Sequence, residues 1–327
     1  MENANTIDNI YTIISPLGQG GISFVYLVKK NNIEYAAKIR IRRVNGFQQE
    51  LQMTALASGL NNPHLIHLNN HGIGRIEHNG MVAENKQYLI LDYYPKGNLF
   101  KYIEQGPLTE RQAKYVFKKI LQGVQALHGA GVCHRNLKLE AILLDQNFNP
   151  KISNFAFAKL FIENNQVIQL TERVGSPNYM PPQMYNNQPY SGEKADIFSL
   201  GAILFALVTG VNGFKTSKND DTLYSFIRKG NINDYWNKVA QPLPNAKNLS
   251  LDFKNLYISM VAFNENVRPN IAQILQHHWF NEINILNNEQ LIDLENNVRN
   301  EFIAREPHLI QDIDDLDDHI VFQENNE

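Results

Sequence analysis

The sequence predicts an α+β chain in which a small antiparallel β-sheet unit carrying one helix precedes a larger, mainly helical unit. Three observations carry this. Residues 10–92 break into short runs rich in Ile, Val, Tyr and Leu, punctuated by Gly and Asn. Past Pro95-Lys96-Gly97 the apolar spacing switches to the helical period. The 327 residues, with 43% hydrophobic and 19% charged content, supply enough apolar chain for a substantial core.

In the first unit, residues 10–17, 24–29 and 34–40 read as strands separated by Gly or Asn turns. Residues 47–60 have helical spacing through Leu51, Ala55 and Leu56, and 65–74 and 87–92 supply further strands. In the second unit, Thr109-x-x-Gln112 is a capping-box signature, in which the Thr hydroxyl and the Gln side chain each satisfy an orphan backbone N–H. Val116, Phe117, Ile120, Leu121, Val124 and Leu127 then trace one apolar face, and Gly129-Ala130-Gly131 ends the helix. A second strong helix is expected over 193–210.

The net charge of −3 is unevenly spread: from Glu289 onward 12 acidic and 2 basic residues give −10, which leaves +7 for the rest. The body is mildly basic, but no Arg/Lys stripe with interleaved aromatics emerges, so nucleic-acid binding is not expected. Residues 283–327 read first as a solvated acidic tail. Within it Leu291, Leu294, Val298 and Phe302 recur at helical spacing, which would let a short amphipathic helix fold back onto the body. No run of about eighteen apolar residues suggests a membrane span. The opening Met1-Glu2-Asn3-Ala4-Asn5 has neither the basic nor the apolar region of a signal peptide. The lone Cys133, in an apolar stretch, reads as a buried structural thiol and suits a reducing compartment: cytoplasm, with the nucleus also open.

Gly18-Gln19-Gly20-Gly21-Ile22-Ser23-Phe24-Val25 lies between two strands. A dinucleotide-binding turn would run into a helix, so that reading fails. A glycine-bearing strand-turn-strand instead allows backbone amides to approach phosphate oxygens closely. Tyr35-Ala36-Ala37-Lys38 follows, with Glu50 placed to pair with the lysine, and then Leu89-Ile90-Leu91-Asp92-Tyr93-Tyr94. Further on come His134-Arg135-Asn136-Leu137-Lys138-Leu139-Glu140-Ala141, Asn154-Phe155-Ala156, Gly175-Ser176-Pro177-Asn178-Tyr179-Met180-Pro181-Pro182-Gln183, Asp196-Ile197-Phe198-Ser199-Leu200-Gly201 and Asn266-Val267-Arg268-Pro269.

In this order the motifs resemble those of a Ser/Thr protein kinase domain, and the resemblance covers about residues 8–282. It implies a bilobal protein kinase-like fold, with an N-lobe over about 8–92, a hinge over 92–97 and a C-lobe over 98–282. By resemblance ATP would meet Gly18 and Gly20 at its phosphates and Lys38 paired with Glu50. Val25, Ala36 and Leu143 would sandwich the adenine, with Leu91 behind it and the backbone of Asp92 and Tyr94 facing it. Asp196 would brace the backbone of the catalytic loop.

The departures fall on the chemistry. Asn136 stands where the family has the Asp that takes or orients the substrate's hydroxyl proton, and a carboxamide nitrogen cannot accept one. Ala141 and Asn154 stand at the two metal-ligand positions, where Mg²⁺ needs hard oxygens. Ala141 offers none and Asn154 adds no charge, so metal is expected to be lost. Lys138, at the position that would contact the transferred phosphate, is retained. Asparagine is frequent throughout, so drift could supply Asn136 and Asn154 but not Ala141 or Ala156. Gln183 replaces a Glu that would pair with Arg268. Thr171 and Ser176 are hydroxyls that could take a phosphate to pair with Arg135, though as exposed loop residues they read more simply as polar loop. Adjacent His277 and His278 point to different faces and do not read as a metal pair.

The expectation is therefore a pseudokinase: ATP binding or scaffolding, little or no phosphoryl transfer, and protein partners such as an active kinase or a signalling substrate. The alternative is a slow but genuine Ser/Thr kinase using a residual single-metal site.

Overall fold

The computed structural model describes residues 5–41, 46–163 and 165–306. They fall into two compact units: one takes the described chain up to Asn61 with Ile66–Pro95, the other takes Asn62–Leu65 with Lys96–Glu306.

In the first unit β1 (Thr6–Ile7), β2 (Tyr11–Gln19), β3 (Ser23–Lys30), β4 (Ile33–Arg40), β5 (Leu68–His78) and β6 (Met81–Asp92) are joined by helix α1 (Phe47–Gly59) after β4. The expected antiparallel sheet closes into a barrel in the order β1-β2-β3-β4-β6-β5, because the two residues of β1 pair with both β2 and β5. Alternation sorts the two faces of the wall. Phe24, Tyr26, Val28, Ala37, Ile39 and Ile90 point inward and are buried. On the outer face Val25 lies opposite Lys38, and Ala36 lies between Leu27 and Leu91. Strands β5 and β6 form one long hairpin rather than the runs 65–74 and 87–92. Their turn is Asn79-Gly80, with φ of 50° and 78°, the left-handed pair that matches the strands' twist. Helix α1 seats Phe47 and Leu51 against Leu89, flanked by Leu68 and Leu91.

The second unit opens with α2 (Phe100–Ile103) and α3 (Glu110–Gly129). Thr109 and Gln112 make the expected reciprocal capping box, and the stripe from Val116 to Leu127 is buried. Short strands β7 (Val132–Cys133), β8 (Ile142–Leu144), β9 (Pro150–Ile152) and β10 (Lys159–Leu160) pair as β7 with β10 and β8 with β9. Helices α4 (Pro182–Tyr185) and α5 (Gly192–Thr209) follow. Residues Ala195 to Val208 of α5 are buried without a break, as expected of a helix surrounded by core. Against it pack α6 (Thr222–Arg228), α7 (Ile232–Val239) and α8 (Leu251–Met260), while α9 (Ile271–Leu275) packs on α3. Cys133 is wholly buried, and burial pushes its thiol far above the ordinary range, which suits packing rather than reactivity. Among the described residues no helix is long and apolar enough to cross a membrane.

Of the four residues at helical spacing, Leu294, Val298 and Phe302 form the buried stripe and Leu291 is only half-buried. After α10 (Asn281–Asn284), α11 (Asn288–Arg305) buries all three, with Phe302 ringed by Tyr102 and Phe148 at centroid distances of 5.2 and 5.7 Å. Arg305 donates to the carbonyls of Tyr102, Gly106 and Pro107 at 2.6, 2.7 and 3.0 Å. Much of the acidic run lies from residue 307 on, outside the described residues. Deleting the fully buried Phe302 ring leaves a cavity, so Phe302→Ala should cost about 3–5 kcal/mol in urea unfolding. A cost under about 1 kcal/mol would show that α11 adds nothing to the unit.

Candidate active site

Both units carry candidate residues. In the first, β2 and β3 run into the glycine turn, where the Gly20 N–H donates to the Ser23 carbonyl at 2.7 Å. Neither conformation nor space demands the glycines here: Gly18, Gly20 and Gly21 have no positive φ, and an added Cβ would meet nothing closer than 3.7 Å. On the outer face of β4 the Lys38 Nζ donates to Glu50 Oε1 at 2.5 Å, so helix and strand are tied as the motif spacing implied. A second cation joins them. Arg40, two residues on and on the same strand face, donates to Glu50 Oε2 at 2.9 Å. Glu50 is 2% exposed; burial alone would raise its carboxyl, but Lys38 and Arg40 outweigh that and hold it below the usual range. Val25, Ala36, Lys38 and Leu91 share this face, and β6 ends at Asp92, two residues before Tyr94.

The second unit holds the rest. Asp196, fully buried near the start of α5, receives the backbone N–H groups of His134 and Arg135 on its two oxygens, each at 2.7 Å. His128 Nε2 adds a third contact at 2.9 Å. These fix a loop whose Arg135 stands at φ 62°, an unfavourable value for a large side chain. His134 donates from Nε2 to the Ser153 carbonyl at 2.8 Å and accepts at Nδ1 from the Asn136 N–H at 3.2 Å. Burial lowers the pKa of this imidazole, in keeping with a neutral ring. It packs edge-on to Phe155 at 5.1 Å. Ser153 also donates to the Ala141 carbonyl from both N and Oγ, at 2.8 and 2.9 Å. Thus Asn136, Ala141 and Asn154 belong to one knitted cluster, with Asn154 in the left-handed conformation at φ 64°. Leu143 is half-buried between fully buried neighbours in β8.

Asn136 Oδ1 accepts from both the N–H and the hydroxyl of Ser176, each at 3.0 Å. The approach is close: at Gly175, φ 101°, an added Cβ would lie 2.5 Å from the Arg135 carbonyl oxygen. Lys138 has extended backbone, and its Nζ lies 3.9 Å from Glu140. Ala141 presents no ligand atom and Asn154 one neutral carbonyl, so this donor set does not fit a Mg²⁺ ion facing phosphate.

The guanidinium of Arg135 is already engaged. It donates to Glu172 Oε2 at 3.0 Å, to Tyr190 at 3.2 Å and to the Phe157 carbonyl at 2.8 Å. Lys159 holds the other Glu172 oxygen at 2.5 Å. A carboxylate therefore occupies Arg135, rather than a group on Thr171 or Ser176. The Lys159 hydrogen bond chiefly, with Arg135 helping and partial burial opposing, pulls the Glu172 carboxyl down to about 2. Gln183 meets Arg268 as expected, accepting from Nη2 at 2.8 Å. Its own amide donates to the Phe263 carbonyl at 2.6 Å, a bond a carboxylate could not make.

Sequence reading missed Arg40 and Glu172. The signal for Arg40 was there, since residues two apart on a strand share a face; Glu172 is brought to Arg135 only by tertiary folding.

Two outcomes follow from these ion pairs. Glu50→Ala strips a buried carboxylate from two cations and should cost about 3–5 kcal/mol in chemical unfolding. Lys38→Met should cost far less, because Arg40 still holds the helix; equal costs would mean Arg40 contributes nothing. For Glu172 the folded pKa lies below the ordinary 4.5, so its stabilisation is full above that value and is lost as pH falls toward about 2. The gap in Tm between wild type and Glu172→Gln should therefore narrow as pH drops from about 6 to about 3. A constant gap would mean the pair does not depress this carboxyl.

The protein kinase domain model matches residues 11–280. The chain is 29% identical over 285 residues to CBL-interacting protein kinase 5 of Oryza sativa subsp. japonica, covering 85% of this chain and 57% of that protein. It is 30% identical over 276 residues to CBL-interacting serine/threonine-protein kinase 15 of Arabidopsis thaliana, covering 83% and 61%. With NUAK family SNF1-like kinase 1 of Mus musculus it shares 30% identity over 280 residues, covering 83% and 38%. The chain thus spans less than two thirds of the length of these relatives. With the Lys38–Glu50 pair in the first unit, the Asp196-braced loop in the second, and a match running from Tyr11 to Phe280, the chain belongs to the protein kinase family, in its Ser/Thr lineage.

Proposed function

We propose that this chain is a pseudokinase that binds ATP and acts through protein contacts, with little or no phosphoryl transfer. The observation that carries the reading is Asn136: its oxygen is spent on Ser176, and its nitrogen can only donate. General-base assistance is worth roughly 10²–10⁴-fold, and that term is removed. Electrostatic stabilisation of the transferring phosphoryl group is the larger loss, because Ala141 and Asn154 supply no negative ligand for a metal. Nucleotide binding is supported by the glycine turn. Its glycines serve no internal need of conformation or space, which leaves close approach by a ligand as their use. Gly18, Gly20 and Lys38 would take phosphates, while Val25, Ala36, Leu91 and the backbone of Asp92 and Tyr94 would take adenine.

The relatives named for CBL interaction support a protein partner, and the buried lone Cys133 suits a reducing compartment such as the cytoplasm. A second reading, a slow kinase with one residual metal, draws on the intact Lys38–Glu50 pair. Thermal unfolding with ATP, in excess Mg²⁺ and again in EDTA, separates the two. A specific site filled at about 100 times Kd adds roughly 2.7 kcal/mol. Equal stabilisation in Mg²⁺ and EDTA is the expected result. Stabilisation only with Mg²⁺, together with phosphate transfer abolished by Lys38→Met, would establish the slow kinase instead.

A further inference from the structure

One aromatic ring of the second unit carries two cations. Tyr185 closes α4; its ring is half-buried against the cluster of Met180, Met184 and Tyr190, and its hydroxyl donates to the Pro177 carbonyl at 2.9 Å. The ring is thereby fixed. Over it stand the Arg173 guanidinium, 4.7 Å from the centroid, and the Lys218 ammonium, at 5.4 Å.

Both cations are held there by bonds that their neighbours make. Glu172 is tied through its carboxylate to Arg135 and Lys159, and through its carbonyl to the Tyr190 hydroxyl at 2.9 Å, which fixes the point from which Arg173 leaves. The loop carrying Lys218 is pinned on both sides. The buried Ser217 hydroxyl donates to the Met180 carbonyl at 2.6 Å, and the Asp221 carboxylate accepts the N–H groups of Lys215, Thr216 and Tyr224.

Two like charges on one ring repel, and an exposed ring face repays little of that. Several cations elsewhere sit over rings and are neutralised there: Lys96 over Phe148 pairs with Glu306, Lys114 over Trp279 with Glu282, and Lys119 over Tyr115 with Glu295. Arg173 and Lys218 are exposed, and among the described residues neither makes an ion pair. Glu172 and Asp221 are spent on the bonds above, and the exposed Asp220 pairs with neither cation. The missing charge is a carboxylate from outside. The guanidinium of Arg173 presents a planar fork that takes a carboxylate bidentately, Lys218 adds a second point charge, and the shared ring offers apolar surface to a side-chain stem. Two charges without a longer basic stripe suit a short acidic peptide rather than nucleic acid.

We propose that Arg173, Tyr185 and Lys218 form a docking seat for a segment of a protein partner that carries neighbouring Asp or Glu side chains. The seat shares no residue with the proposed nucleotide site or with the loop around Asn136, so it stands whether or not the chain transfers phosphate.

The test uses the full chain with acetyl-Asp-Glu-Asp-Glu-amide, the uncharged acetyl-Asn-Gln-Asn-Gln-amide, inorganic sulfate and phosphatidylserine vesicles. Calorimetry reads affinity, and the backbone NMR signals of Arg173 and Lys218 read location. The acidic peptide should move both signals, bind at least about tenfold more tightly than the uncharged one, and weaken as salt is raised. Arg173→Gln with Lys218→Gln, both on exposed side chains, should weaken it about tenfold or more. Lys30→Gln with Lys254→Gln, single cations over Tyr11 and Trp236, removes the same charge and should leave binding unchanged. Equal losses in the two double variants would mean that net charge alone draws the peptide, and would overturn the proposal. Sulfate binding as tightly as the peptide marks an adventitious ion only and overturns it, as do vesicles that bind through Arg173 and Lys218 where the peptide does not. Peptide binding that appears only when Asp312, Asp314, Asp315, Asp317 and Asp318 are replaced by Asn would assign the seat to this chain's own acidic run and overturn it too.

Discussion

The carboxylate of Asp196 is the constraint on which the second unit's chemistry rests. It is buried at the head of a helix with core on every side, and it answers the backbone donors of two consecutive loop residues. Filled lone pairs offset the desolvation cost of a buried carboxylate, whereas one without partners would be severely costly. In the arrangement that satisfies Asp196, Arg135 adopts a left-handed backbone. Once that is set, His134, Asn136 and Lys138 have fixed exits, and the Ser153 bridges carry the order on to Ala141 and Asn154.

This scaffold is indifferent to the chemistry it displays. Asp196, His134, Phe155 and Arg268 serve packing and hydrogen bonding, and all are present. Asn136, Ala141 and Asn154 stand where, by the resemblance of the motifs, residues that serve the reaction would be expected. Their replacements fit the same backbone because Asn tolerates positive φ and Ala141 contributes its carbonyl rather than a side chain. The segment after Asn154 is likewise tied down by the chain's own charges: the Glu172 carboxylate bridges Lys159 and Arg135.

Much of this was legible in the sequence. The capping box at Thr109, the stripe of α3, the buried run of α5 and the order of the motifs each rest on local spacing, which a sequence displays directly. So does the spacing of Leu294, Val298 and Phe302. What escaped depends on register or on distant approach. Two residues at Thr6 and Ile7 close the barrel, a length too short to form any pattern. The Asn79-Gly80 turn was a usable signal passed over, and the hairpin's ends were misplaced accordingly. Glu172 reaches Arg135 across 37 positions of sequence, and no periodicity foretells which acid in a loop will arrive.

The clamp formed by α11 gives the chain a mechanical character. The family match ends at Phe280, but Arg305 grips one carbonyl of α2 and two of the loop that leads to α3, and Lys96 holds Glu306 at 2.7 Å. A partner tugging on the chain past Glu306 would load this anchor, and through it α2 and the head of α3. The Asp196-braced loop would not bear that load first. The same anchor means that the piece of chain able to fold as a unit is longer than the piece recognisable as a relative. A cut made where the resemblance ends would strip three carbonyls of their guanidinium donor and leave an aromatic socket empty.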